Sequence, residues 1–520
     1  MRLKLQRLIF ASLLLCIATL FFLYRPTQLS HNNGFLSPLF HSRESRLPLS
    51  ASTVIVYHNS TASQPVQRFW ATWARYIADA RPSMKRVTVD YAANNVAALD
   101  VAGAYRVRPI SHVALTESEM QSMKNSHSAF QSHLDNLDIQ DDAITSLFTG
   151  AGIVTVVGGE YFGPAIVGIK MLRKTGSTLP VEAFLPDWDE YEEELCEQIL
   201  PNLNARCMVL SDFLAPAEGE TEKGSDAGFK ITHYQLKGLA ILFSTFENVL
   251  YLDSDSIPLV DPNKELFTTE PYTATGFVGW PDFWVGTESP LFYEITGMEK
   301  FPNDTLPPAS SEAGQLLVDK SKHLKTLLLA AYYNVWGGVY YPLLSQGAMG
   351  EGDKNTFETA ALVLGLPFYR VKSPVMAIGR WTSGQFKGSG MVQFHPTDDM
   401  AKFGNGLVKS ELTKRQVDRP LGAVVENVRP AFMHSNTPKM NAGHLVDEGD
   451  LVDSDKGEGL RLWGDVEQQN RVFGEDLESK VWEVLVEVGC TFAGVIKEWK
   501  ARKDLCLRLK SHKHAVFATN

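Results

Sequence analysis

The stretch FENVLYLDSDSIPLVDP, residues 246–262, closes an apolar strand pattern with two aspartates, Asp253 and Asp255, separated by a single serine. Carboxylates this close repel each other unless a cation or hydrogen-bond donors sit between them. Such oxygen ligands suit the hard divalent ions Mn²⁺ and Mg²⁺, which can bridge to the phosphate oxygens of a nucleotide. In extended backbone, residues i and i+2 point to one side, so both side chains are expected to face one ion. A D-x-D string recurs by chance in any large sequence set. Its place after a helical pattern and an apolar strand gives it weight.

Further groups carry residues able to do chemistry. GWPDFW, just after the D-x-D, offers Trp280, Asp282 and Trp284 as a wall for a sugar. Indole stacks on apolar ring faces and a carboxylate takes hydroxyls; aromatic core packing is the competing reading. Gly158 and Gly159 follow a first strand and precede a helix, where small residues let a nucleotide approach backbone N–H groups. They do not match G-x-G-x-x-G, which argues against a dinucleotide site. Arg173 and Lys237 fall on helices at the expected donor edge, and Lys237 reads equally well as an exposed helix charge. Asp353, in GEGDKNTF, starts a helical pattern, so an N-cap is one role open to it. His395, in QFHPTDD, fits loop structure or a site. No nucleophilic triad and no structural zinc spacing stands out.

These residues need a scaffold, and from Ala151 onward strand and helix patterns alternate. GIVTVVGG, LPVEAFLP and CMVLSD read as strands; FGPAIVGIKMLRKTG, stopped by Gly176, DEYEEELCEQIL and THYQLKGLAILFSTF read as helices. The implied α/β class has a mostly parallel sheet whose ligands sit at the carboxyl ends of its strands, where Asp253 and Asp255 fall. GQLLVDKSKHLKTLLLAAYYN, GDKNTFETAALVLG and LESKVWEVLVEVGC are expected helices, and residues 381–440, rich in Gly, Pro, Asp and His, are expected to be active-site loops. Residues 66–149 read as a helical region, with Phe69, Trp73 and Ile77 spaced along one helix face.

The 520 residues are 44% hydrophobic, enough for a substantial core, and the net charge of -11 argues against a nucleic-acid surface. Leu8 to Tyr24 is an uncharged apolar run behind Arg2, Lys4 and Arg7, which reads as a signal-anchor with a cytoplasmic tail at 1–7 and a span at 8–24. A cleaved signal shares the basic start, but no small-residue cleavage site follows the run. Residues 25–65 are then expected to be a flexible lumenal stem, and 150–520 are expected to be the main domain, catalytic if the acids at its strand end are a site, with a C-terminal helical extension. In an oxidising lumen, Cys196 with Cys207 and Cys490 with Cys506 are the preferred disulfide couples; four buried thiols are the alternative. Asn59 and Asn303 head glycosylation sequons.

KGLAILFSTFENVLYLDSDSIPLVDP with GWPDFW resembles the fungal Golgi α-mannosyltransferases of glycosyltransferase family 71. Further blocks, GIVTVVGGEYFGPAIVGIKMLRKTGSTLPVE, SSEAGQLLVDKSKH, GEGDKNTFETAA and FMHSNTPKMN, resemble that family in the same order, from about Ala151 to Asn441. The resemblance implies a GT-A fold, a GDP-mannose donor, a divalent cation (Mn²⁺ or Mg²⁺) and transfer with retention of the α configuration. By similarity to metal-dependent retaining enzymes, Asp255 holds the metal, Asp253 shares it or touches the ribose, and His434 is the third ligand rather than a loop histidine. Lys439 neutralises diphosphate oxygens or is simply solvated, and Lys237 contacts the donor. Asp353 contacts the acceptor or steadies the reacting sugar, while Glu312 and Gln315 lie on the β face of the donor sugar. The implied setting is a single-pass type II Golgi membrane protein that forms α-1,2 or α-1,3 links on N-glycan, O-glycan or mannan acceptors, alone or beside other mannosyltransferases. Two alternatives stand: the same machinery using a UDP-hexose, and a non-catalytic subunit of a mannosyltransferase assembly.

Overall fold

Strand β1, Ala151–Val156, is a β-branched run buried along its middle, which suits a central strand covered on both faces. In the computed structural model, which describes residues 62–90, 111–214, 234–298, 309–382, 384–405, 424–447, 449–453 and 457–517, it sits inside a seven-stranded sheet. The other strands are β2 (Val181–Leu185), β3 (Ala205–Val209), β4 (Asn248–Leu252), β5 (Ser256–Pro258), β6 (Phe277–Val285), β7 (Ala309–Asp319), β8 (Tyr369–Arg370), β9 (Met376–Thr382), β10 (Gln385–Phe394) and β11 (Pro430–His434). The large sheet runs β3-β2-β1-β4-β7-β6-β8, and a second, four-stranded sheet runs β5-β11-β10-β9. All pairings in the large sheet are parallel except those of β7 with β4 and β6. This is the expected α/β architecture with a mixed, mostly parallel sheet.

The two sheets join at the D-x-D. β4 ends at Leu252 in the large sheet and β5 begins at Ser256 in the small one, so residues 253–255 are the link. They form a turn, closed by the Ser256 N–H donating to the Asp253 carbonyl at 2.9 Å. The extended pair expected from the sequence is therefore replaced by a turn. The strand cannot continue straight, because its next residues pair with β11 in the other sheet.

Helix Phe162–Lys174 packs against this link. Its Gly168 faces the Ser254 and Ser256 carbonyls, where a Cβ would make ordinary van der Waals contact at 3.8 and 3.7 Å. On its outer side it meets helix Leu477–Phe492, and Trp482 and Trp499 of the C-terminal extension are fully buried. Disulfides Cys196–Cys207 and Cys490–Cys506, with Cα atoms 5.4 and 4.5 Å apart, fasten the β3 edge and the last two helices.

Three other expectations change. GQLLVD is the end of β7 rather than helix, because Leu316, Leu317 and Val318 are buried in register with β4; the helix starts only at Lys320, capped by Asp319. Residues 381–440 supply much of the antiparallel small sheet and helix Pro396–Phe403, so they are scaffold as well as loops. DEYEEELCEQIL becomes a π-helical stretch, Leu195–Ile199, running into Leu200–Asn202. In the region 66–149, helix Gln64–Asp79 buries Val66, Trp70, Trp73 and Ile77, leaving Phe69 at the stripe's edge. Trp70 meets Phe243 edge-on at 5.1 Å and Phe130 stacks on Tyr332 at 4.4 Å, so this region is continuous with the main core. Among the described residues no helix is long and apolar enough to cross a membrane. The expected span at 8–24, most of the stem, and the sequons at Asn59 and Asn303 lie outside them.

Candidate functional site

Strand neighbours on either side of the D-x-D turn deliver its partners. On one side, His434 ends β11 opposite Ser256 of β5, which sets its imidazole beside Asp255 with Nε2 3.1 Å from Oδ1. On the other, Gln315 of β7 lies opposite Leu252 of β4, and the Asp253 N–H donates to the Gly314 carbonyl at 2.8 Å. One ligating atom from each of Asp253, Asp255 and His434 falls within 4.8 Å of the others. The expected metal set, drawn from positions up to 181 residues apart, is thus brought together.

The electrostatics of the cluster suit a bound cation. Lys439 places its ammonium against Asp255 Oδ2 and over the Tyr161 ring. Burial disfavours the charged carboxylate of Asp255, yet Lys439 and His434 hold its pKa far below the usual range. Burial likewise disfavours imidazolium at His434, but Asp255 and Glu312 raise its pKa to about 10. Ammonium and imidazolium here do what a divalent ion does for the same carboxylate. Binding a metal requires His434 to release its proton and Lys439 to turn toward other anions. The donor set of two carboxylate oxygens and one imidazole nitrogen suits Mn²⁺ or Mg²⁺ completed by phosphate and water oxygens.

A second tier holds these groups in place. Lys237, on helix Gln235–Phe243, donates to Asp253 at 3.2 Å and to the Ala313 carbonyl at 2.7 Å, and lies 3.8 Å from Asp353. Burial opposes its charge, but Asp253, Asp353 and Glu312 together raise its pKa. Glu312 lies 3.6 Å from His434 Nδ1; despite burial, His434, Lys237 and Lys354 hold its pKa down at about 2. Asp353 is nearly buried, and burial, only partly offset by Lys237, lifts its pKa to about 6. It does not cap the following helix, whose N-cap is Asn355, and its Oδ2 has no hydrogen-bond partner. Gln315 is fully buried with both amide atoms unpartnered. Buried polar groups are normally paired, so orphaned atoms beside the D-x-D mark where a polar ligand belongs.

Several expected site residues take other roles. Arg173 sits near the far end of helix Phe162–Lys174, about 16 Å along it from the donor end. Its guanidinium donates to the carbonyls of Ser177, Leu203 and Asn204, so it fastens loops and cannot serve the donor. Trp280 is fully buried, with Nε1 donating to the Phe394 carbonyl at 2.9 Å and its ring edge-on to Phe432, and is core rather than acceptor wall. Asp282 is buried and bound to Lys354 at 2.6 Å, leaving no free carboxylate for hydroxyls. Trp284 is half-buried at the end of β6 and remains open to an acceptor role. Gly158 (φ 127°) and Gly159 (φ 48°) form the turn leaving β1, close beside Glu190. His395 is buried near Glu265 and Asp398 and makes none of the contacts that define the site.

Two functional positions escaped the sequence. Tyr251, inside the strand pattern, donates its hydroxyl to Asp253 Oδ1 at 2.7 Å. Gly314 packs so tightly on His434 that a Cβ would lie 2.6 Å from Nδ1. Gly314 carried no signal in the sequence, because its segment reads as helix; only its place inside β7 makes it a strand glycine of the kind that marks close approach.

A family model described as "Mannosyltransferase putative" matches residues 150–305 and 300–395. The α-1,2-mannosyltransferase MNN21 of Candida albicans is 33% identical over 450 residues, covering 78% of this chain and 67% of its own length. The α-1,2-mannosyltransferase MNN2 of Saccharomyces cerevisiae is 34% identical over 431 residues, covering 72% and 69%. Among solved structures, the galactosyltransferase LgtC with donor and acceptor sugar analogues aligns over 56% of this chain and 90% of its own at 13% identity, with a TM-score of 0.29. That likeness adds nothing to the sheet order described above. The chain belongs to the fungal α-mannosyltransferases of glycosyltransferase family 71 and is a glycosyltransferase.

Proposed function

We propose that this protein moves mannose from GDP-mannose to mannoside acceptors on glycans, with retention and with α-1,2 linkage, using a divalent cation held by Asp253, Asp255 and His434. The observation that carries the reading is the convergence of those three side chains on one point, flanked by Lys237 and Lys439. The α-1,2 linkage follows the names of the relatives. The setting is the Golgi lumen, with the chain anchored through residues 8–24.

When bound, the cation supplies positive charge to the departing diphosphate. The rest is done by the chain itself. Lys439, released from Asp255, and Lys237 are the ammonium groups placed to meet donor oxygens. Gln315 offers an amide to the sugar from a dry position, where an unpaired group becomes paired only when substrate arrives. Asp353, raised to about 6, sits at an ionisation balance near neutral pH and can accept a proton from an acceptor hydroxyl. Glu312 and Tyr251 orient His434 and Asp253.

Incubating the full-length chain with GDP-mannose, UDP-glucose or UDP-galactose and α-mannoside oligomers, with Mn²⁺ or EDTA, tests this directly. The expected result is Mn²⁺-dependent GDP release and an α-1,2-linked product by NMR. Turnover of a UDP-hexose in preference to GDP-mannose overturns the donor assignment. Folded, metal-loaded protein without transferase activity favours the non-catalytic subunit.

A further inference from the structure

Trp280 and Asp282 are taken up by the core, which leaves an acceptor sugar with little of the wall expected of GWPDFW. Among the described residues no other Phe, Tyr or Trp is as exposed as Trp381, at 72%, and Phe386, at 40%. These two are direct cross-strand partners near the tip of the β9–β10 hairpin, with ring centroids 5.6 Å apart and planes tilted by 59°. Apolar residues scattered singly over a surface need no explanation, but two aromatic rings held together in water leave apolar area that a partner can cover.

The strand register sets this pair on the face that carries the metal histidine. Along β9, Trp381, Gly379 and Ala377 alternate to one side. Ala377 is opposite Met391 of β10, and Met391 is opposite His434 of β11; residues directly paired share a face. The bulge of β10 between Gly388 and Gly390 does not disturb this, because the path runs along β9. β11 stops at His434, so the hairpin continues past the metal set, and Trp381 lies about 13 Å along the strand beyond the row of Ala377, Met391 and His434. On that stretch the face carries Gly379 opposite Gly388, and neither adds a side chain. A Cβ on Gly379 would strike the Lys387 carbonyl, so the close approach of the two strands requires the glycine.

We propose that Trp381 and Phe386 form an acceptor subsite that holds the distal sugars of a mannoside chain while its reacting end lies at the Asp253–Asp255–His434 centre. This rests on the proposed transfer to mannosides and adds to it a preference for chains long enough to reach the hairpin. A pyranose presents a face of C–H groups that stacks on an indole or phenyl ring while its hydroxyls stay in water, so an exposed pair suits a sugar. An acceptor too short to span the glycine stretch meets only the groups around the metal set. The pair touches no reacting atom, so it acts on the KM of the acceptor and not on the chemical step.

Full-length Trp381→Ala, Trp381→Phe and Phe386→Ala are compared with the parent chain on methyl α-mannoside and on linear α-mannoside oligomers of increasing length. The parent is expected to favour the longer acceptors in kcat/KM, and Trp381→Ala to cut that preference about 10-fold, through KM, with Trp381→Phe restoring much of it. Calorimetric titration of the same oligomers, with GDP and Mn²⁺ present, is expected to show the same loss without any need for turnover. Should Trp381→Ala fail to fold, Phe386→Ala carries the test. A parent chain without transferase activity that still binds long oligomers better than methyl α-mannoside, with the difference lost in Trp381→Ala, supports the subsite and removes the proposed function. A parent chain without any length preference, or with one that Trp381→Ala and Phe386→Ala leave intact, overturns the subsite alone. Loss of a dimer in sedimentation, or of binding to lipid vesicles, with the length preference unchanged in those variants, also overturns it and assigns the pair to a second copy or a membrane.

Discussion

Asp255 Oδ1 and His434 Nε2 lie 3.1 Å apart although 179 residues separate them in the chain. The contact exists because β5 and β11 pair antiparallel, with His434 opposite the residue that follows Asp255. A two-strand ladder in the small sheet therefore completes a site begun at the carboxyl end of the large one. Changes that disturb this pairing should act on the metal set before they act on the core.

Gly314→Ala tests the packing behind the histidine. A Cβ there would lie 2.6 Å from His434 Nδ1 and 2.8 Å from Glu312 Oε1, so both side chains must shift. Turnover should fall at least about 10-fold through misplacement of His434, with Mn²⁺ affinity falling in parallel. Thermal unfolding and metal titration of the same variant check this; unchanged metal affinity would place His434 outside the set.

Asp353 gives a signed pH dependence. Its folded pKa, raised to about 6 by burial, exceeds the ordinary value of 3.8, so the proton stabilises the folded state. That contribution is fully present below about pH 4 and is lost as pH rises through about 6. Asp353→Asn should match the parent protein at pH 4 and be more stable at pH 8 by at most ~3 kcal/mol in metal-free denaturant titrations. Transfer activity should drop in the same variant, giving stability and activity opposite signs.

The two tryptophans of GWPDFW should separate. Trp280→Ala removes a fully buried indole and its bond to the Phe394 carbonyl, and should cost ~3–5 kcal/mol of stability. Trp284→Ala, at a half-buried position, should leave the melting temperature within a few degrees and raise the KM for acceptor several-fold. Acceptor titrations beside thermal melts decide it; equal effects on stability would make Trp284 core as well.

Cys490 and Cys506 close a loop of sequence separation 16 that joins the last two helices. Replacing both by Ala should lower stability by ~2–4 kcal/mol, and mild reductant should bring the parent protein toward the variant. Denaturant titration with and without reductant checks both statements.

How much of this was readable beforehand depends on the range of the interactions involved. The alternation of β1 through β4 with their helices is local periodicity, so it was legible, as were the two disulfide couples in short sequence windows. Asp253 and Asp255 declared themselves by charge at a strand end. The turn that joins them was not legible, since it exists only because the next strand enters another sheet. For the same reason β7 read as helix: GQLLVD has no alternation because both faces are covered, and a short apolar run does not reveal its period. Trp280 and Arg173 were misassigned because residue type cannot distinguish a buried indole from a stacking surface, or a loop-fastening guanidinium from a donor contact. His434 was placed by family resemblance, and no local feature of FMHSNTPK would have done so.

GDP-dependent Mn²⁺ binding by full-length protein carrying Asp255→Asn, followed by electron paramagnetic resonance against the parent chain, is the most direct test of the central claim. The account predicts affinity weakened at least about 100-fold and turnover reduced by about 10³-fold, equivalent to ~4 kcal/mol, with circular dichroism unchanged. Parental Mn²⁺ affinity and near-parental turnover in that variant would contradict it.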